Sequence, residues 1–272
     1  KMKDKYVVGL VQQICSSNIT ENVEKSVEGI KDAAKRGAEL VLLQELHRTT
    51  YFCQSENTNF FDLAETIPGP STELFGKVAA EKKVVLVISL FEKRAPGIYH
   101  NTAVVIEKDG SIAGTYRKMH IPDDPQFYEK FYFTPGDRGF FPIDTSVARL
   151  GVQICWDQWF PEAARLMALR GAEILLYPTA IGWTMNDSND EKKRQYDSWL
   201  TIQKSHSIAN GIPLVCANRV GLEENPLFNQ NKVYENKTDV SPGIQFWGNS
   251  FICGSQGEYL AIGSNSMEDV VL

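Results

Sequence analysis

The sequence predicts an α/β fold in which two similar halves pack sheet against sheet, with helices on the outside. Short runs rich in Val, Leu and Ile alternate with amphipathic stretches of helical period along the chain. The tetrapeptide Arg-Gly-Ala-Glu occurs twice, at residues 36–39 and 170–173, each time between a predicted helix and an apolar strand. This repeated helix, turn and strand indicates two αβ halves.

The first half delivers a carboxylate at the end of a buried strand. It begins with an apolar strand at residues 6–11 and an amphipathic helix at about 18–36, for which Asn18 is a capping residue. The next strand, at residues 39–44, places Glu45 at its carboxyl end, where ligands of α/β sheets tend to bind. The remaining elements of this half are one helix and three strands, predicted at residues 71–81, 84–90, 99–107 and 112–117.

The second half places a thiol between a strand and a helix. Residues 150–154 are an apolar strand, and Pro161 is typical of a first helical turn, so Cys155 lies at a strand-to-helix turn. There the helix N-terminus would favour a thiolate and could bind an oxyanion. Residues 119–141 are predicted to be an ordered functional loop, and residues 222–246 a polar surface loop. Further strands and one helix are predicted at residues 174–177, 213–220, 249–253, 259–262 and 191–209.

Composition limits the class of protein. A chain of 272 residues with 43% hydrophobic residues can bury one large core, so we expect a single domain spanning 1–272. The net charge of -6 gives no basic footprint, which argues against a nucleic-acid partner. The chain stops inside what looks like a strand at residues 270–272, so we expect a C-terminal tail to be missing.

Membrane and secretion signals and the number of cysteines indicate where the protein is located in the cell. No apolar run reaches the ~18 residues of a membrane span, and the first residues lack the apolar region of a signal peptide, so we expect a cytoplasmic protein without a membrane partner. Five scattered cysteines without a C-x-x-C pair are typical of reduced thiols and give no metal site.

Several catalytic classes lack their motifs. The chain contains no G-x-G-x-x-G, P-loop, G-x-S-x-G or H-E-x-x-H sequence. A lone cysteine is more often a packing residue than a nucleophile. A Cys-His dyad stays open, with a base drawn from His47, His100, His120 and His206. Because His47 and His120 lie two residues past Glu45 and Lys118, the strand period would place them on the same face as those residues.

Glu45, Lys118 and Cys155 stand in three segments that resemble the Glu-Lys-Cys triad motifs of the nitrilase superfamily of carbon-nitrogen hydrolases. The segments are residues 43–45, 116–120 and 154–157, and the resemblance covers essentially the whole chain. It implies a four-layer αββα sandwich of the nitrilase type and a homo-oligomer built from dimers. It also implies that Cys155 is the nucleophile and Glu45 the proton shuttle, with Lys118 and the Trp156 backbone N–H as oxyanion donors, and no metal or organic cofactor.

Longer phrases resemble the N-carbamoylputrescine amidohydrolase branch of that superfamily, at residues 44–46, 51–54, 120–123, 129–133, 155–162 and 177–182. The resemblance implies cleavage of a small-molecule carbamoyl amine to putrescine, carbon dioxide and ammonia through a Cys thioester, in polyamine biosynthesis. It places Glu129 beside the triad, where it would orient Lys118 or the substrate amide. Tyr51, Trp156 and Ala180 are candidate substrate-binding or supporting residues in the same phrases.

The substrate's far end leaves alternatives open. Relatives that act on N-carbamoyl amino acids bind the carboxylate with an arginine just after the nucleophile, whereas here the next arginine is Arg165. An alkylammonium tail would instead contact aromatic walls and a distant acid. The candidates are Tyr51, Trp156, Trp159 and Trp183, with Asp123 or Asp187. An N-carbamoyl amino acid amidohydrolase or aliphatic amidase remains an alternative, as does a non-catalytic nitrilase-fold binding module, although no triad member is replaced.

Overall fold

Two six-stranded β-sheets form the centre of the protein, whose computed structural model describes residues 5–226 and 241–272. In their order across the sheet, the strands of the first are β15 (Asp269–Val271), β1 (Val8–Gln12), β2 (Leu40–Leu43), β3 (Val85–Ala95), β4 (Ile98–Ile106) and β5 (Ile112–Arg117). Those of the second are β14 (Tyr259–Ile262), β13 (Phe251–Cys253), β10 (Leu214–Asn218), β8 (Ile174–Thr179), β7 (Arg149–Val152) and β6 (Ile143–Asp144). The described residues also form a small sheet from β11 (Val220–Glu224), β12 (Gly243–Trp247) and β9 (Gly182–Thr184).

Helices cover the outer faces of both large sheets. The first sheet packs against α1 (Ile19–Lys35) and α2 (Pro70–Lys82), and the second against α4 (Pro161–Leu169) and α5 (Asn189–Asn210). A four-residue helix, α3 (Glu129–Tyr132), lies in the loop after β5. The layers are therefore helix, sheet, sheet and helix, which confirms the predicted αββα sandwich. In the parts of the chain that the structure describes, no helix is long and apolar enough to span a membrane.

The strand β2 shows why the two sheets stack. Its four residues are fully buried and alternate between two cores. Leu40 and Leu42 belong to the core between the sheets, while Val41 and Leu43 pack under the helices of the first half. Burying each such side chain contributes about 1.5–3 kcal/mol, so a strand that is apolar on both faces is stable only between two layers.

The two Arg-Gly-Ala-Glu segments adopt the same conformation. In each, the glycine leaves the preceding helix with a positive φ, 97° at Gly37 and 87° at Gly171. The alanine N–H then donates back to the last helical turn, at 2.9 Å for Ala38 and 3.0 Å for Ala172. Each segment leads into a strand that pairs in parallel with the strand before the helix, β2 with β1 and β8 with β7. The repeat therefore marks two equivalent βαβ units.

The prediction of a surface loop at residues 222–246 was wrong at both ends of that range. Its first residues belong to β11 and its last to β12, which pair with each other in an antiparallel register; residues 227–240 lie outside the described residues. The polar composition was misleading because Glu223 is buried, with a buried partner in Arg219 at 2.7 Å. The predicted helices agree better with the structure, since α1, α2 and α5 begin and end within two residues of the expected positions.

Candidate active site

The carboxyl ends of strands from both large sheets meet at one place. Glu45 follows β2, Lys118 follows β5, Cys155 follows β7 and Ala180 follows β8. The backbone N–H of Glu45 donates to the carbonyl of Thr179 at 3.3 Å, which ties the end of β2 to the end of β8 across the two sheets. The four residues thus converge although they are separated along the chain.

Cys155 begins a short 3-10 helix, Cys155–Trp159, with a strained backbone. Its φ is 43°, a left-handed conformation that is uncommon for a residue with a Cβ. The turn is held by the buried carboxylate of Asp157, which accepts from the N–H of Ile154 at 2.9 Å and from the hydroxyl of Tyr116 at 2.8 Å. Asp157 therefore fixes the direction of the thiol, and the sequence reasoning gave it no role.

The Cys155 thiol is neutral in the resting protein. Burial, followed by the negative charge of Glu45, raises the pKa of Cys155 well above its ordinary value, and Lys118 only partly opposes this shift. The Sγ donates to the carbonyl of Ala180 at 3.7 Å, as a protonated thiol can. The expected thiolate was wrong because α4 begins only at Pro161, so the α-helix N-terminus does not adjoin the sulfur. A base must remove the proton.

Lys118 lies between two carboxylates. Its Nζ donates to Glu45 Oε1 at 2.7 Å and to Glu129 Oε2 at 2.6 Å, and all three side chains are buried. Burial alone would lower the pKa of Lys118, but the charges of Glu129 and Glu45 raise it well above its ordinary range. Lys118 is therefore a cation with one N–H left over for another acceptor, because an ammonium group carries three.

Glu129 has a near-neutral pKa. Burial raises the pKa of its carboxyl to about 7, against the opposing charge of Lys118. The hydroxyl of Tyr51 donates to its Oε1 at 2.7 Å. Tyr51 is 1% exposed and packs against Phe127 and Phe246, so it supports Glu129 and does not form an aromatic wall of the cavity. The expectation that Tyr51 would contact a substrate cation was wrong.

Asn101 is a site residue that the sequence reasoning missed. Its side-chain N–H donates to Glu45 Oε1 at 2.7 Å, and its backbone carbonyl accepts from Lys118 N at 2.9 Å. Asn101 and Lys118 both donate to Oε1 of Glu45. The other carboxylate oxygen, Oε2, is buried without a hydrogen-bond partner among the described residues. An asparagine within the apolar run of β4 was the signal that could have identified it.

Arg219, between β10 and β11, is a second residue that the sequence did not reveal. Its guanidinium is fully buried and donates to the carbonyls of Glu45 at 3.1 Å, Leu46 at 2.8 Å and Thr49 at 2.9 Å. Leu46 has a φ of 51°, so these bonds hold a strained turn directly after Glu45. A fourth bond joins Arg219 to Glu223 at 2.7 Å.

None of the four histidines hydrogen-bonds to Cys155 within the described parts of the chain. His47 faces α1, where its Nδ1 lies 2.9 Å from the Ser26 hydroxyl, because the chain turns at Leu46 and the strand period ends. Nδ1 of His120 lies 2.7 Å from Oδ1 of Asp157, and the His120 ring stacks on Phe160 with the ring centroids 3.6 Å apart. His120 therefore supports the 3-10 helix from outside. His47 is therefore not a neighbour of the site, and His120 is one. The resting geometry does not support a Cys-His dyad.

A cavity of about 640 Å³ opens from Cys155. Of the residues expected from sequence, its lining includes Glu129, Trp156, Trp159, Ala180 and Asp187. Besides Tyr51, two of the proposed contacts, Trp183 and Asp123, do not line it. The indole N–H of Trp183 donates to the Lys192 carbonyl at 2.9 Å, and Asp123 is exposed outside the cavity. The sequence reasoning also missed Asp124, Glu191 and Arg194, which bring charge to the cavity wall.

The side chains present suit acyl transfer rather than metal binding. No group of three or more His, Cys, Asp or Glu residues in the described ranges is arranged to hold a metal ion. A nucleophile, a carboxylate with a free oxygen and a lysine with a free N–H are the groups needed to attack a carbonyl carbon. The site therefore favours hydrolysis of a carbonyl compound.

Comparison with known proteins agrees with the geometry. The family model for carbon-nitrogen hydrolases matches residues 7–272. N-carbamoylputrescine amidase from Oryza sativa subsp. japonica is 43% identical over 269 residues, covering 98% of this chain and 85% of that protein. Citrullinase from Francisella tularensis subsp. tularensis is 41% identical over 265 residues, covering 97% of this chain and 86% of that protein.

A solved structure shows the same likeness. The crystal structure of a carbon-nitrogen hydrolase from Helicobacter pylori superposes with a TM-score of 0.90 at 53% identity, covering 97% of this chain and 87% of that one. A match over 97% of the chain extends over both halves. The chain therefore belongs to the carbon-nitrogen hydrolase family, the nitrilase superfamily that its motifs resemble, and it is an amide-hydrolysing enzyme.

Proposed function

We propose that this enzyme hydrolyses N-carbamoylputrescine to putrescine, carbon dioxide and ammonia, with Cys155 as the nucleophile, Glu45 as the general base and Lys118 as an oxyanion donor. The observation that carries the proposal is the buried Lys118 between Glu45 and Glu129, beside Cys155 at the inner end of a mainly apolar cavity that has several acidic residues on its wall. A carbamoyl group is a resonance-stabilised urea and a poor electrophile, so all three catalytic groups are needed.

In the first step, Cys155 Sγ attacks the carbamoyl carbon while its proton moves to Glu45. Glu45 Oε2 is the oxygen available for this proton, since Oε1 already accepts from Lys118 and Asn101. The carbonyl oxygen becomes an oxyanion, which accepts from the remaining N–H of Lys118 and from the backbone N–H of Trp156. Each donor of this kind contributes about 3 kcal/mol or more in other enzymes.

In the second step, the tetrahedral intermediate collapses and the terminal nitrogen leaves. The protonated Glu45 donates its proton to that nitrogen, so ammonia departs and a carbamoyl thioester of Cys155 remains. Water then enters, Glu45 takes a proton from it, and the resulting hydroxide attacks the thioester carbon. The thiol leaves with the proton returned by Glu45, and the released carbamate decays to carbon dioxide and free amine.

The charges on the cavity wall support an ammonium tail. Glu191 is paired with Arg194, whose Nε lies 3.2 Å from it, which leaves Asp124 and Asp187 without an ion pair in the described residues. Asp187 is the better positioned of the two. Its Oδ2 accepts from the N–H of Thr184 at 3.0 Å, while its Oδ1 receives no hydrogen bond from the described chain. Asp187 would therefore bind the substrate ammonium, beside the indoles of Trp156 and Trp159.

Substituting Asp187 tests this assignment against an uncharged substrate. N-butylurea has the same carbamoyl group and four-carbon chain as N-carbamoylputrescine but no ammonium. Asp187→Asn should lower the ratio of kcat/KM for N-carbamoylputrescine to that for N-butylurea by about 10-fold or more. Asp190→Asn, at the exposed start of α5, is the matched control and should keep the wild-type ratio. Equal ratios in the two variants would contradict the role of Asp187.

Citrulline is the second candidate substrate, and the position of Arg194 in the cavity wall is the observation that favours it. Citrulline carries the same carbamoyl group on a chain that ends in both an ammonium and a carboxylate. Arg194 lines the cavity and could bind that carboxylate, although no arginine follows the nucleophile directly. Its existing pair with Glu191 weakens the case, since a carboxylate substrate would have to compete with that side chain.

The experiment that tests the function is a panel of carbamoyl and amide substrates assayed for ammonia release. We expect the highest kcat/KM for N-carbamoylputrescine, at least about 10-fold above citrulline, N-carbamoyl-β-alanine and butyramide, since a buried mismatch of charge costs more than 1.4 kcal/mol. A higher value for citrulline would support the second candidate. No release from any carbamoyl compound would overturn both.

We also propose a role in polyamine synthesis in the cytoplasm and assembly into a homo-oligomer built from dimers. Support for assembly comes from the helix layer of the second half, where Leu169 is 73% exposed and Ile208 is 57% exposed. Light scattering of the purified protein at several concentrations checks the assembly. A mass of one chain at all concentrations would contradict it.

A further inference from the structure

The two carboxylates that flank Lys118 are joined a second time, through a buried path on the other side of the site. Glu223 accepts from Arg219 with Oε1 and from the backbone N–H of Tyr51 with Oε2. The hydroxyl of the same Tyr51 donates to Glu129. Arg219 in turn donates to the carbonyl of Glu45. The contacts therefore close into a ring that begins and ends at Lys118.

The members of this ring are among the most buried polar groups of the molecule. Arg219, Glu45 and Lys118 have no exposed surface, and Tyr51 and Glu129 are 1% exposed. Such a network is costly to bury unless its members are paired, and its geometry is rigid when they are. The ring brings β11, a strand of the small sheet, into contact with the ends of β2 and α3 in the large sandwich.

Members of this ring contact both of the carboxylates that hold Lys118. Glu45 precedes the strained turn at Leu46, whose carbonyl Arg219 also binds. Glu129 receives the Tyr51 hydroxyl, and Tyr51 is held at its backbone by Glu223. A shift of Arg219 or Glu223 would therefore change the separation of the two carboxylates, and with it the position of the Lys118 ammonium between them.

We infer that Arg219 and Glu223 are positioning residues, which fix the distance between Glu45 and Glu129 and so aim Lys118 and Glu45 at the reacting carbonyl and the Cys155 thiol. This inference rests on the proposed roles of Glu45, Lys118 and Cys155. It adds that the small sheet is part of the catalytic framework, although neither Arg219 nor Glu223 lines the cavity.

The substitution Glu223→Gln tests the inference with the least change in shape. The amide oxygen can still accept from Tyr51 N–H, but the amide NH2 then faces the Arg219 guanidinium, so both the hydrogen bond and the charge opposite Arg219 are lost. We expect kcat to fall by about 10-fold or more with KM within about 3-fold of wild type, since small misplacements of catalytic groups reduce the rate more than binding. Arg219→Lys keeps the charge but cannot bridge four acceptors from one nitrogen, so it should show the same pattern.

The matched control is another buried Arg–Glu pair of the same chain. Glu92 binds Arg117 at 2.6 Å, and both are buried. Arg117 precedes Lys118 in the chain, but neither side chain of the pair lines the cavity or hydrogen-bonds to a member of the ring. Glu92→Gln should lower the melting temperature as Glu223→Gln does, while keeping kcat within about 2-fold of wild type because the catalytic groups stay in place. Equal kcat losses in the two variants, or no loss in either, would overturn the inference.

A second readout separates this inference from the substrate proposal. The rate at which iodoacetamide alkylates Cys155 reports removal of the thiol proton and needs no substrate. Glu223→Gln should slow this alkylation by about the factor by which it lowers kcat, and Glu92→Gln should leave it unchanged. If wild type does not act on N-carbamoylputrescine, the substrate proposal fails while the alkylation rates still decide the inference. Unchanged alkylation in Glu223→Gln would overturn it.

Discussion

Each half of the molecule places a cysteine just after the strand that opens its βαβ unit, and only one of the two cysteines faces the cavity. Cys15 follows β1 and Cys155 follows β7, each as the third residue after the strand ends. They are buried to a similar degree, at 6% and 5% exposure, and both are free thiols. Burial is the first cause of a raised pKa in both. Position after a strand and burial therefore do not make a nucleophile.

The difference lies in what the rest of the chain brings to each sulfur. Cys15 Sγ is enclosed by the Gln44 amide at 3.4 Å and the His47 carbonyl at 3.4 Å, and it does not line the cavity. Cys155 opens onto the cavity and interacts with the charges of Glu45 and Lys118. Arg219 and Glu223 also interact with the Cys15 sulfur, so a nearby cation and carboxylate do not by themselves make a nucleophile. Room for a substrate beside such groups distinguishes Cys155 from the packing thiol.

The largest expected effect is the loss of Cys155 itself. Cys155→Ala should lower kcat by about 10⁴-fold or more, as removal of a nucleophile does in other hydrolases. Cys15→Ala should keep kcat within about 3-fold of wild type, because Cys15 touches no reacting group. Ammonia release and circular dichroism on both variants check this pair. Comparable activity in the two variants would remove the distinction between the halves.

The next largest effect is expected from substitution of Glu45. Glu45→Gln keeps the acceptor for Lys118 and Asn101 but cannot take the thiol proton, so kcat should fall by about 10²–10⁴-fold. The alkylation of Cys155 by iodoacetamide should slow as well, because burial still holds the thiol protonated in the variant and no base remains at position 45 to take its proton. Retention of the wild-type alkylation rate would show that Cys155 does not need Glu45, which would weaken the contrast with Cys15.

Glu129 should give the pH dependence of the site. Its pKa of about 7 means that the carboxyl is ionised above pH 7 and neutral below it. As the pH falls through 7, Lys118 loses one of its two carboxylate partners, so kcat/KM should fall. Glu129→Gln should lower kcat/KM at pH 8 by about 10-fold and remove this change between pH 6 and 8. A wild-type profile that is flat in that window would contradict the assignment.

The smallest expected effect concerns stability rather than rate. Cys15→Ala removes the acceptor of the Gln44 amide and should lower the free energy of unfolding by about 1–2 kcal/mol. Urea unfolding of the variant measures this directly. An unchanged free energy of unfolding would mean that Cys15 is not needed for packing either, and the two halves would differ less in stability than their contacts indicate.

The frame of the molecule could be predicted because local patterns determine it. Buried strands such as β2 are apolar on both faces, and Asn18, Pro161 and the two Arg-Gly-Ala-Glu turns mark helix ends by their backbone requirements. The three proposed catalytic positions could be assigned from motifs at strand ends. Their convergence depends on how the two sheets stack, because Glu45 and Lys118 follow strands of the first sheet and Cys155 follows a strand of the second.

The parts that could not be predicted depend on single contacts between distant residues. His47 was placed at the site by strand period, which ends at the left-handed Leu46. Tyr51 is an aromatic residue of the type that can line a binding cavity, but its hydroxyl donates a hydrogen bond to Glu129. Glu223 reads as a surface acid, and only its buried partner Arg219 explains its position. None of these pairings leaves a local pattern in the sequence, because the partners are chosen by packing.

Whether Cys155 is the nucleophile can be tested by alkylating the folded enzyme with iodoacetamide while following both residual activity and the labelled peptide. We expect activity to be lost in proportion to one label per chain on Cys155, Cys15 and the three other thiols to stay unlabelled, and N-carbamoylputrescine to slow the loss. Full activity in a protein labelled on Cys155, or inactivation that follows labelling of Cys15, would contradict it.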